Sequence, residues 1–152
     1  MVEIVEVAPR DGLQKEAVIL EPAERAELVR RLARSGARRI EAVSFVHPRR
    51  VPQMAHAETV LDLLRDETGV PLVGLVLNDV GYQRARTTRV DEVNFALLAS
   101  ETFNRENQGR SVERSIAEGL AIAEGCASDG IAFSLTIGAS FGCPFEGAVP
   151  HD

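Results

Sequence analysis

Five short runs of apolar and β-branched residues recur along the chain, and amphipathic segments separate them. Each run has the length of a typical strand. The predicted strands are Glu3–Ala8, Arg39–Phe45, Pro71–Leu77, Glu92–Leu98 and Ile131–Ile137. Strands that alternate with helices pair in parallel through right-handed crossover connections. The sequence therefore predicts an α/β fold built on one parallel sheet.

Four amphipathic segments between these runs are predicted to be helices. They are Pro22–Ser35, Gln53–Glu67, Val80–Arg86 and Ser111–Ala127. Pro22 suits a first helical turn, Gly36 suits a helix stop, and Ser111 is a suitable N-cap for the last helix. One stripe of that last helix is apolar and is expected to face the core. It consists of Ile116, Leu120, Ala123 and Ala127.

Two architectures accommodate repeated strand–helix units: an open doubly wound sheet and a (β/α)₈ TIM barrel. A dinucleotide-binding doubly wound sheet needs G-x-G-x-x-G in its first turn, where this sequence has only Gly12. A complete barrel takes roughly 200 residues or more, and the chain has 152. We therefore expect a partial (β/α)₈ TIM barrel with about the first five βα units, in a single domain over residues 1–152.

Charge and composition exclude several kinds of partner. The chain has 17 Lys and Arg against 23 Asp and Glu, a net charge of −6 at pH 7, and this is no footprint for nucleic acid. No stretch approaches the roughly 18 consecutive apolar residues of a membrane span. The chain has two cysteines, Cys126 and Cys143, and they show no C-x-x-C spacing. So few cysteines, without a disulfide pattern, are typical of a protein from a reducing compartment. We expect a cytoplasmic protein with no nucleic-acid or membrane partner.

Polar residues collect where each predicted strand ends. Because the carboxyl ends of parallel strands meet at one rim in both architectures, these residues are expected to converge there. The polar segments are Pro9–Gln14, Ser44–Pro48, Asn78–Asp79, Ser100–Thr102 and Ser140–Pro144. The rim is therefore the predicted site of chemistry.

Several of these polar residues have both a structural and a functional interpretation. Arg10 and Asp11 form a surface turn pair, or Asp11 supplies a hard oxygen to a divalent metal while Arg10 places a permanent positive charge beside a developing anion. Glu41 is a carboxylate in an apolar strand, so it needs either a salt bridge to Arg10 or a metal. Gln14 and Asn78 either orient a carbonyl group or cap helices.

Cysteine and histidine give weaker signals. Cys143 lies in a Gly-Cys-Pro turn and is either a nucleophile or an inert thiol; no histidine is placed to activate it, which favours the inert thiol. His47, His56 and His151 show no H-x-H or H-x-x-x-H spacing. We therefore expect these histidines at the surface and not in a metal site.

Five motifs, in order along the chain, make the sequence resemble one family. They are VAPRDGLQKE at 7–16, IEAVSFV at 40–46 with VPQMA at 51–55, NDVGYQRA at 78–85, SETFN at 100–104 and FGCPFEG at 141–147. Together they resemble the N-terminal half of the hydroxymethylglutaryl-CoA lyase family, which are metal-dependent TIM-barrel lyases. The resemblance covers the whole chain.

The resemblance implies a reaction and a set of site residues. The reaction is a retro-Claisen cleavage of 3-hydroxy-3-methylglutaryl-CoA to acetyl-CoA and acetoacetate, as in leucine degradation and ketone body formation. The resemblance implies that Asp11 binds Mg²⁺ or Mn²⁺, that Arg10 stabilises the product enolate, and that Glu41 belongs to an acid–base network near the metal. The substrate-binding residues that it implies for the acyl-CoA are Arg10, Gln14, Ser44 and Asn78.

The same resemblance limits what this chain is expected to do by itself. In the family, a His-x-His pair, an Asn ligand and a catalytic Cys follow the last of these motifs. We therefore expect the 152 residues alone to lack lyase activity.

Two further hypotheses about function remain open. The first is a lyase or aldolase that acts on another acyl-CoA or a 2-oxo acid, and the second is a non-catalytic half-barrel that self-associates through its open sheet edges. A homo-oligomer is expected.

Overall fold

Four parallel strands with helices between them form the framework of the structure. The computed structural model describes residues 2–65 and 68–150. The strands are β1 (Ile40–Ser44), β2 (Leu72–Val76), β3 (Glu92–Leu98) and β4 (Ala132–Gly138). The helices are α1 (Pro22–Arg34), α2 (Ala57–Leu63), α3 (Asp79–Ala85), α4 (Glu101–Gln108) and α5 (Val112–Asp129). A π-helical turn covers Ala8–Gly12, and a 3₁₀ turn covers Pro52–Met54.

The order of the strands identifies the architecture. They lie in chain order, β1-β2-β3-β4, and each pairs in parallel with its neighbour. Helix α2 packs on β1, α3 packs on β2, and α5 packs on β3 and β4. Crossovers of one hand that always advance in the same direction place their helices on one face of the sheet. Because a doubly wound sheet reverses its strand order, the arrangement is the predicted partial (β/α)₈ barrel.

The first predicted strand is wrong in extent. Within Glu3–Ala8 only Glu6 pairs, in a single parallel bridge to Ile40. The π-helical turn follows at once and ends the pairing on one side. On the other side Val2 and Ile4 are exposed, so no burial of apolar surface favours a longer strand.

The predicted helix boundaries hold with one exception. The predicted helix Gln53–Glu67 begins only at Ala57, because His56 adopts a left-handed φ of 58° that interrupts the helix. The helix ends at Leu63, before the predicted end, and the last two predicted residues, Asp66 and Glu67, lie outside the described residues. Ser111 caps α5 as predicted, accepting a hydrogen bond of 3.2 Å from the first-turn backbone. No helix in the described part of the chain is long and apolar enough to cross a membrane.

Helix α4 is not predicted by the sequence analysis. Phe103 is its one apolar residue, so it has no apolar stripe to reveal it. Its ends nevertheless carry recognisable signals: Ser100 accepts a hydrogen bond from the backbone nitrogen of Phe103, and Gly109 ends the helix with a φ of 72°. A serine cap followed by a left-handed glycine nine positions later is the pattern that marks such a helix.

Helix α5 buries a different face from the one predicted. The predicted stripe is wrong, since Ile116 and Leu120 are 48% and 63% exposed. The buried positions are Ser115, Gly119, Ile122 and Cys126. The reason is steric, because a methyl group at Gly119 would lie 2.9 Å from Cε1 of the buried Phe95 ring of β3. The helix therefore turns its small residues toward the sheet.

Tyr82 joins α3 to α5 through a buried phenol. Its hydroxyl group donates to Oδ2 of Asp129 at 2.5 Å. A methyl group at Gly125 would lie 2.6 Å from the phenolic oxygen, so the two helices are closely packed here. Burial, assisted by the hydrogen bond to Asp129, raises the pKa of Tyr82 to about 12.

This raised pKa predicts a loss of stability at alkaline pH. A tyrosine in an unfolded chain ionises near pH 10, so between pH 10 and about 12 the folded state keeps a proton that the unfolded state loses. The free energy of unfolding is therefore expected to fall as the pH rises through this window. Tyr82→Phe is expected to reduce that slope in urea unfolding. A slope equal to that of the unsubstituted protein would contradict the assignment. Cys126, whose pKa burial raises to about 11, accounts for the residual slope.

Candidate active site

A cluster of polar side chains lies on the sheet face opposite the described helices, and a β-bulge in β1 makes it possible. The pairing of β1 with β2 advances from Glu41↔Val73 to Ser44↔Leu75, so β1 contains one extra residue. Residues three apart in a regular strand point to opposite faces. The bulge instead places both Glu41 and Ser44 on one face. Asn94 of β3 pairs with Leu75 and shares that face.

Glu41 is the buried acid of this cluster and is only 2% exposed. Nε of Arg10 donates to its Oε1, which forms a salt bridge. Nδ2 of Asn94 donates to its Oε2 at 2.7 Å. Because each carboxylate oxygen has a donor, the cost of burying the charge is offset. The structure thus contains the Arg10–Glu41 salt bridge that the sequence offered as one interpretation.

The π-helical turn brings Arg10 and Asp11 to this face. Three successive backbone nitrogens, those of Arg10, Asp11 and Gly12, donate to the carbonyl oxygen of Val7 at 3.1, 2.8 and 3.3 Å. Pro9 inside the turn is buried and anchors it. Nη1 of Arg10 donates to Oδ1 of Asp11 at 2.9 Å. The turn therefore presents a guanidinium and a carboxylate side by side, and isolated π-helical turns are frequent at functional sites.

Asp11 is the carboxylate available to a cation. Its side chain is 64% exposed, and the structure records one partner for it, Arg10, on Oδ1. Mg²⁺ and Mn²⁺ prefer such oxygen ligands and retain several waters, so Asp11 suits one coordination position. Among the described residues, no three His, Cys, Asp or Glu side chains cluster closely enough to hold a metal ion. His47 and His56 are exposed, as predicted, and His151 lies outside the described residues.

Asn94 and Thr136 belong to the cluster but are missed by the sequence analysis. Oγ1 of Thr136 donates to Oδ1 of Asn94 at 3.0 Å, which extends the hydrogen bonds from β1 across β3 to β4. A signal for them exists. Asn94 follows Glu92 by two positions and Thr136 follows Ser134 by two, and polar residues at period two mark one face of a strand.

The other predicted substrate-binding residues lie beside this network, without joining it. Ser44 is buried, and its Oγ accepts a hydrogen bond from the backbone nitrogen of Val46 at 3.2 Å. Gln14 is half-buried, just after the π-helical turn. Asn78 is exposed, and its Oδ1 accepts from the backbone nitrogen of Gly81 at 2.9 Å. Asn78 therefore caps α3, which is the structural interpretation that the sequence allowed for it.

A cleft of about 570 Å³ opens beside Asn78, at the carboxyl ends of β1 and β2. Its walls combine apolar side chains with guanidinium groups. The lining residues include Phe45, Val46, Leu77, Arg50, Arg84 and Arg110. Arg84 is paired with Glu58 and Arg110 with Glu118, whereas the exposed Arg50 forms no side-chain ion pair with the described residues. The cleft is thus an apolar groove with arginine side chains at its rim, two of which are paired with carboxylates.

Cys143 is the buried residue of an otherwise exposed turn next to α4. Its Sγ accepts hydrogen bonds from Oγ of Ser100 at 2.8 Å and from the backbone nitrogen of Phe145 at 3.3 Å. Burial acts to raise the pKa of the thiol, but the hydrogen bonds from Ser100 and from the backbone of Phe145 and Glu146 outweigh it, and the pKa is lowered. These partners tie the Gly-Cys-Pro turn to the start of α4.

The fold and this cluster define a class of protein: a parallel (β/α)₈ barrel, here in part, with an Arg–Glu pair and an exposed Asp on its helix-free face. The chain belongs to the family described as HMGL-like, whose match covers residues 1–151. This confirms the resemblance that the five motifs indicate.

Curated relatives and solved structures agree with this assignment. The (R)-citramalyl-CoA lyase of Chloroflexus aurantiacus is 43% identical over 97% of this chain and 50% of its own length. The hydroxymethylglutaryl-CoA lyase of Pseudomonas mevalonii is 39% identical over 97% of this chain and 49% of its own length. The chain therefore spans about half the length of these curated relatives.

Two solved structures show the same fold. The hydroxymethylglutaryl-CoA lyase of Pseudomonas aeruginosa superposes with a TM-score of 0.90 at 36% identity, over 98% of this chain and 50% of that one. An Acinetobacter baumannii HMG-CoA lyase in complex with coenzyme A and 3-methylmalate superposes with a TM-score of 0.91 at 34% identity, over 99% of this chain and 49% of that one.

Proposed function

We propose that residues 1–152 form the N-terminal part of the barrel domain of a carbon–carbon lyase that cleaves 3-hydroxy-3-methylglutaryl-CoA to acetyl-CoA and acetoacetate. The placement of Arg10 carries this proposal. Its Nε is held by the buried Glu41 and its Nη1 by Asp11, while Nη2 has no hydrogen bond to the described residues. The guanidinium is thus oriented, with donors left for a substrate oxygen.

The proposed reaction needs such a group. The hydroxyl proton of the substrate leaves, and its O–H electron pair forms the ketone of acetoacetate. The pair of the broken carbon–carbon bond moves onto the thioester as an enolate, which takes up a proton to give acetyl-CoA. Arg10 stabilises the negative charge on the thioester oxygen. Since a guanidinium does not lose its proton in proteins, Arg10 stays charged throughout. Glu41 positions it, while the acid–base role that the resemblance implies for Glu41 remains a prediction.

Asp11 is the proposed ligand of a divalent cation, Mg²⁺ or Mn²⁺. When bound, the cation would make the substrate hydroxyl more acidic and polarise a substrate carbonyl. The Asp11 oxygen that Arg10 does not engage is the one suited to it. No three metal-ligating side chains cluster in the described part of the chain, and we propose that the other ligands lie outside residues 1–152. The isolated chain is accordingly proposed to lack lyase activity.

The acyl-CoA is proposed to bind along the rim. The apolar cleft at the carboxyl ends of β1 and β2 suits an alkyl chain, and the exposed Arg50 at its mouth suits a phosphate. Asn78 lines the same cleft. Gln14 and Ser44 remain predicted substrate-binding residues at the same end of the barrel.

A second candidate substrate is (R)-citramalyl-CoA. The relative that carries this substrate in its name is 43% identical to the chain, compared with 39% for the hydroxymethylglutaryl-CoA lyase of Pseudomonas mevalonii. The bond change is the same, since a 3-hydroxyacyl thioester splits into acetyl-CoA and a ketone. The second product differs: it is pyruvate from citramalyl-CoA and acetoacetate from hydroxymethylglutaryl-CoA.

Self-association and a cytoplasmic location remain predictions. Leu135 and Ile137 of β4 are 49% and 50% exposed, although they lie in a strand. Half-exposed apolar residues on an edge strand favour a covering partner, either a further part of the protein or another copy. The prediction of a single domain over residues 1–152 likewise belongs to this proposal.

The proposal is tested on the protein purified from its native source. Its intact mass is measured first, and both thioesters are then offered with Mg²⁺ or Mn²⁺. We expect release of acetyl-CoA, with acetoacetate or pyruvate identifying the preferred substrate, and we expect Arg10→Met to reduce that release about 100-fold or more. No acetyl-CoA from either thioester would overturn the lyase assignment. Metal-dependent turnover by the isolated 152-residue chain would overturn the expectation that it is inactive.

A further inference from the structure

A continuous line of hydrogen bonds crosses the sheet face that lies opposite the described helices. It runs from Thr136 to Arg10 and Asp11. Thr136 on β4 donates to Asn94 at 3.0 Å, and Asn94 on β3 donates to Glu41 at 2.7 Å. Glu41 accepts from Arg10, which also donates to Asp11. Asn94 and Thr136 have no proposed role in the chemistry. The line of hydrogen bonds connects them to Arg10 and Asp11, which do have one.

The amide of Asn94 has a single orientation that satisfies both of its neighbours. An ionised carboxylate accepts hydrogen bonds and donates none, so Glu41 requires the NH₂ group of Asn94. The carbonyl oxygen of Asn94 then points away, where the hydroxyl of Thr136 donates to it. The acceptor-only carboxylate of Glu41 therefore selects the amide orientation, and the hydroxyl of Thr136 anchors the carbonyl oxygen of that orientation. Without the hydroxyl, the amide of Asn94 is held from the Glu41 side alone.

Glu41 depends on this arrangement because it is buried. Its Oε2 accepts from Asn94, and its Oε1 accepts from Arg10. A buried carboxylate oxygen that loses its donor keeps the full cost of its desolvation. Rotation of the carboxylate to find another donor would move Oε1 and, with it, the guanidinium of Arg10.

We propose that Asn94 and Thr136 are positioning residues for Arg10, acting through the carboxylate of Glu41. The catalytic meaning of this inference rests on the proposed lyase function, but the positioning itself does not. The hydroxyl of Thr136 anchors the amide of Asn94, and the amide holds the Glu41 carboxylate in the position from which it directs Arg10 toward the thioester oxygen.

The first arm of the test is spectroscopic and uses the 152-residue chain. Nuclear magnetic resonance reports the side-chain amide protons of Asn94 and the Nε proton of Arg10. In Thr136→Val, which keeps the side-chain shape, we expect both sets of protons to exchange with water about fivefold faster, the factor that corresponds to one ordinary hydrogen bond. Thr136→Ser restores the hydroxyl and is expected to recover most of the protection. Ser134→Ala, on the same face of β4, is the control for loss of a hydroxyl outside the network.

Backbone spectra separate a local effect from misfolding. If Thr136→Val leaves the exchange of the Arg10 Nε proton unchanged while the backbone spectrum is native, the positioning inference is overturned. If Thr136→Val does not fold, Asn94→Leu and Asn94→Asp replace it. Both are expected to release the Arg10 Nε proton, and protection equal to that of the unsubstituted chain in either variant would also overturn the inference.

The second arm measures turnover in the active protein from the native source. Thr136→Val is expected to lower kcat about tenfold, as loss of an outer-shell partner commonly does, and to leave KM unchanged. A kcat equal to that of the unsubstituted enzyme would overturn the catalytic part of the inference. Absence of any lyase activity in the unsubstituted protein would overturn the proposed function alone, because the exchange measurement decides the positioning independently.

Discussion

Replacing Arg10 with methionine is expected to lower the free energy of unfolding by about 3 kcal/mol. Methionine has a similar length but no charge, so the carboxylate of Glu41, which is 2% exposed, would keep only the amide of Asn94 as a partner. Removal of one member of a buried ion pair costs more than the pair itself contributes, because an uncompensated charge stays behind. Urea unfolding followed by circular dichroism measures the loss.

An exposed ion pair provides the matched control for this substitution. Arg105 and Glu101 are four residues apart on α4, and both side chains are largely exposed. Arg105→Met is expected to leave the unfolding midpoint almost unchanged, since exposed pairs contribute little. Equal effects of the two substitutions would show that burial of Glu41 is not what makes Arg10 important for stability.

The same Arg10 substitution separates stability from catalysis. In the active protein it is expected to reduce turnover about 100-fold or more, the usual effect of removing one donor to a developing oxyanion. Glu41→Gln removes the charge but leaves the guanidinium in place, and it is expected to cost less in turnover than Arg10→Met. The opposite ranking would mean that Glu41 itself takes part in the proton transfer.

Truncation of Phe95 to alanine is expected to lower the free energy of unfolding by about 4 kcal/mol. The ring is fully buried between β3 and α5, and the rigid sheet cannot collapse into the space that the ring leaves. Phe141→Ala makes the same change at a side chain that is 93% exposed and is expected to have little effect. Urea unfolding of the two variants gives the comparison, and a similar loss in both would contradict the packing described for Phe95.

Gly119 allows a sharper test of the same contact. With the Phe95 ring present, Gly119→Ala is expected to destabilise the protein, because its methyl group would lie 2.9 Å from Cε1 of the ring. In the Phe95→Ala background the same substitution is expected to stabilise the protein by about 1 kcal/mol, since alanine is favoured over glycine inside a helix. A destabilising effect in both backgrounds would show that something other than the ring excludes a side chain at Gly119.

Local sequence patterns predicted most of the framework. Alternating apolar runs and amphipathic segments place β1 to β4 correctly, because their spacing follows from strand and helix geometry alone. The absence of a glycine fingerprint after the first run removed the dinucleotide-binding alternative. The same reasoning overestimated the first strand, because periodicity reports the preference of a segment and not the presence of a partner surface.

The residue pattern was sufficient for the fold class and the family, and it offered an Arg10–Glu41 salt bridge as one of two interpretations of Glu41. The packed structure was needed to establish that pair and the way it is held. The bulge in β1, the buried face of α5 and the Thr136–Asn94 bonds each depend on what another element presents across the contact. A bulge is visible only against the register of a neighbouring strand, and an amide finds its orientation only from partners 53 and 42 positions away in the chain. Local residue patterns carry no information about such partners, because steric fit and hydrogen-bond donors meet only after the strands have packed.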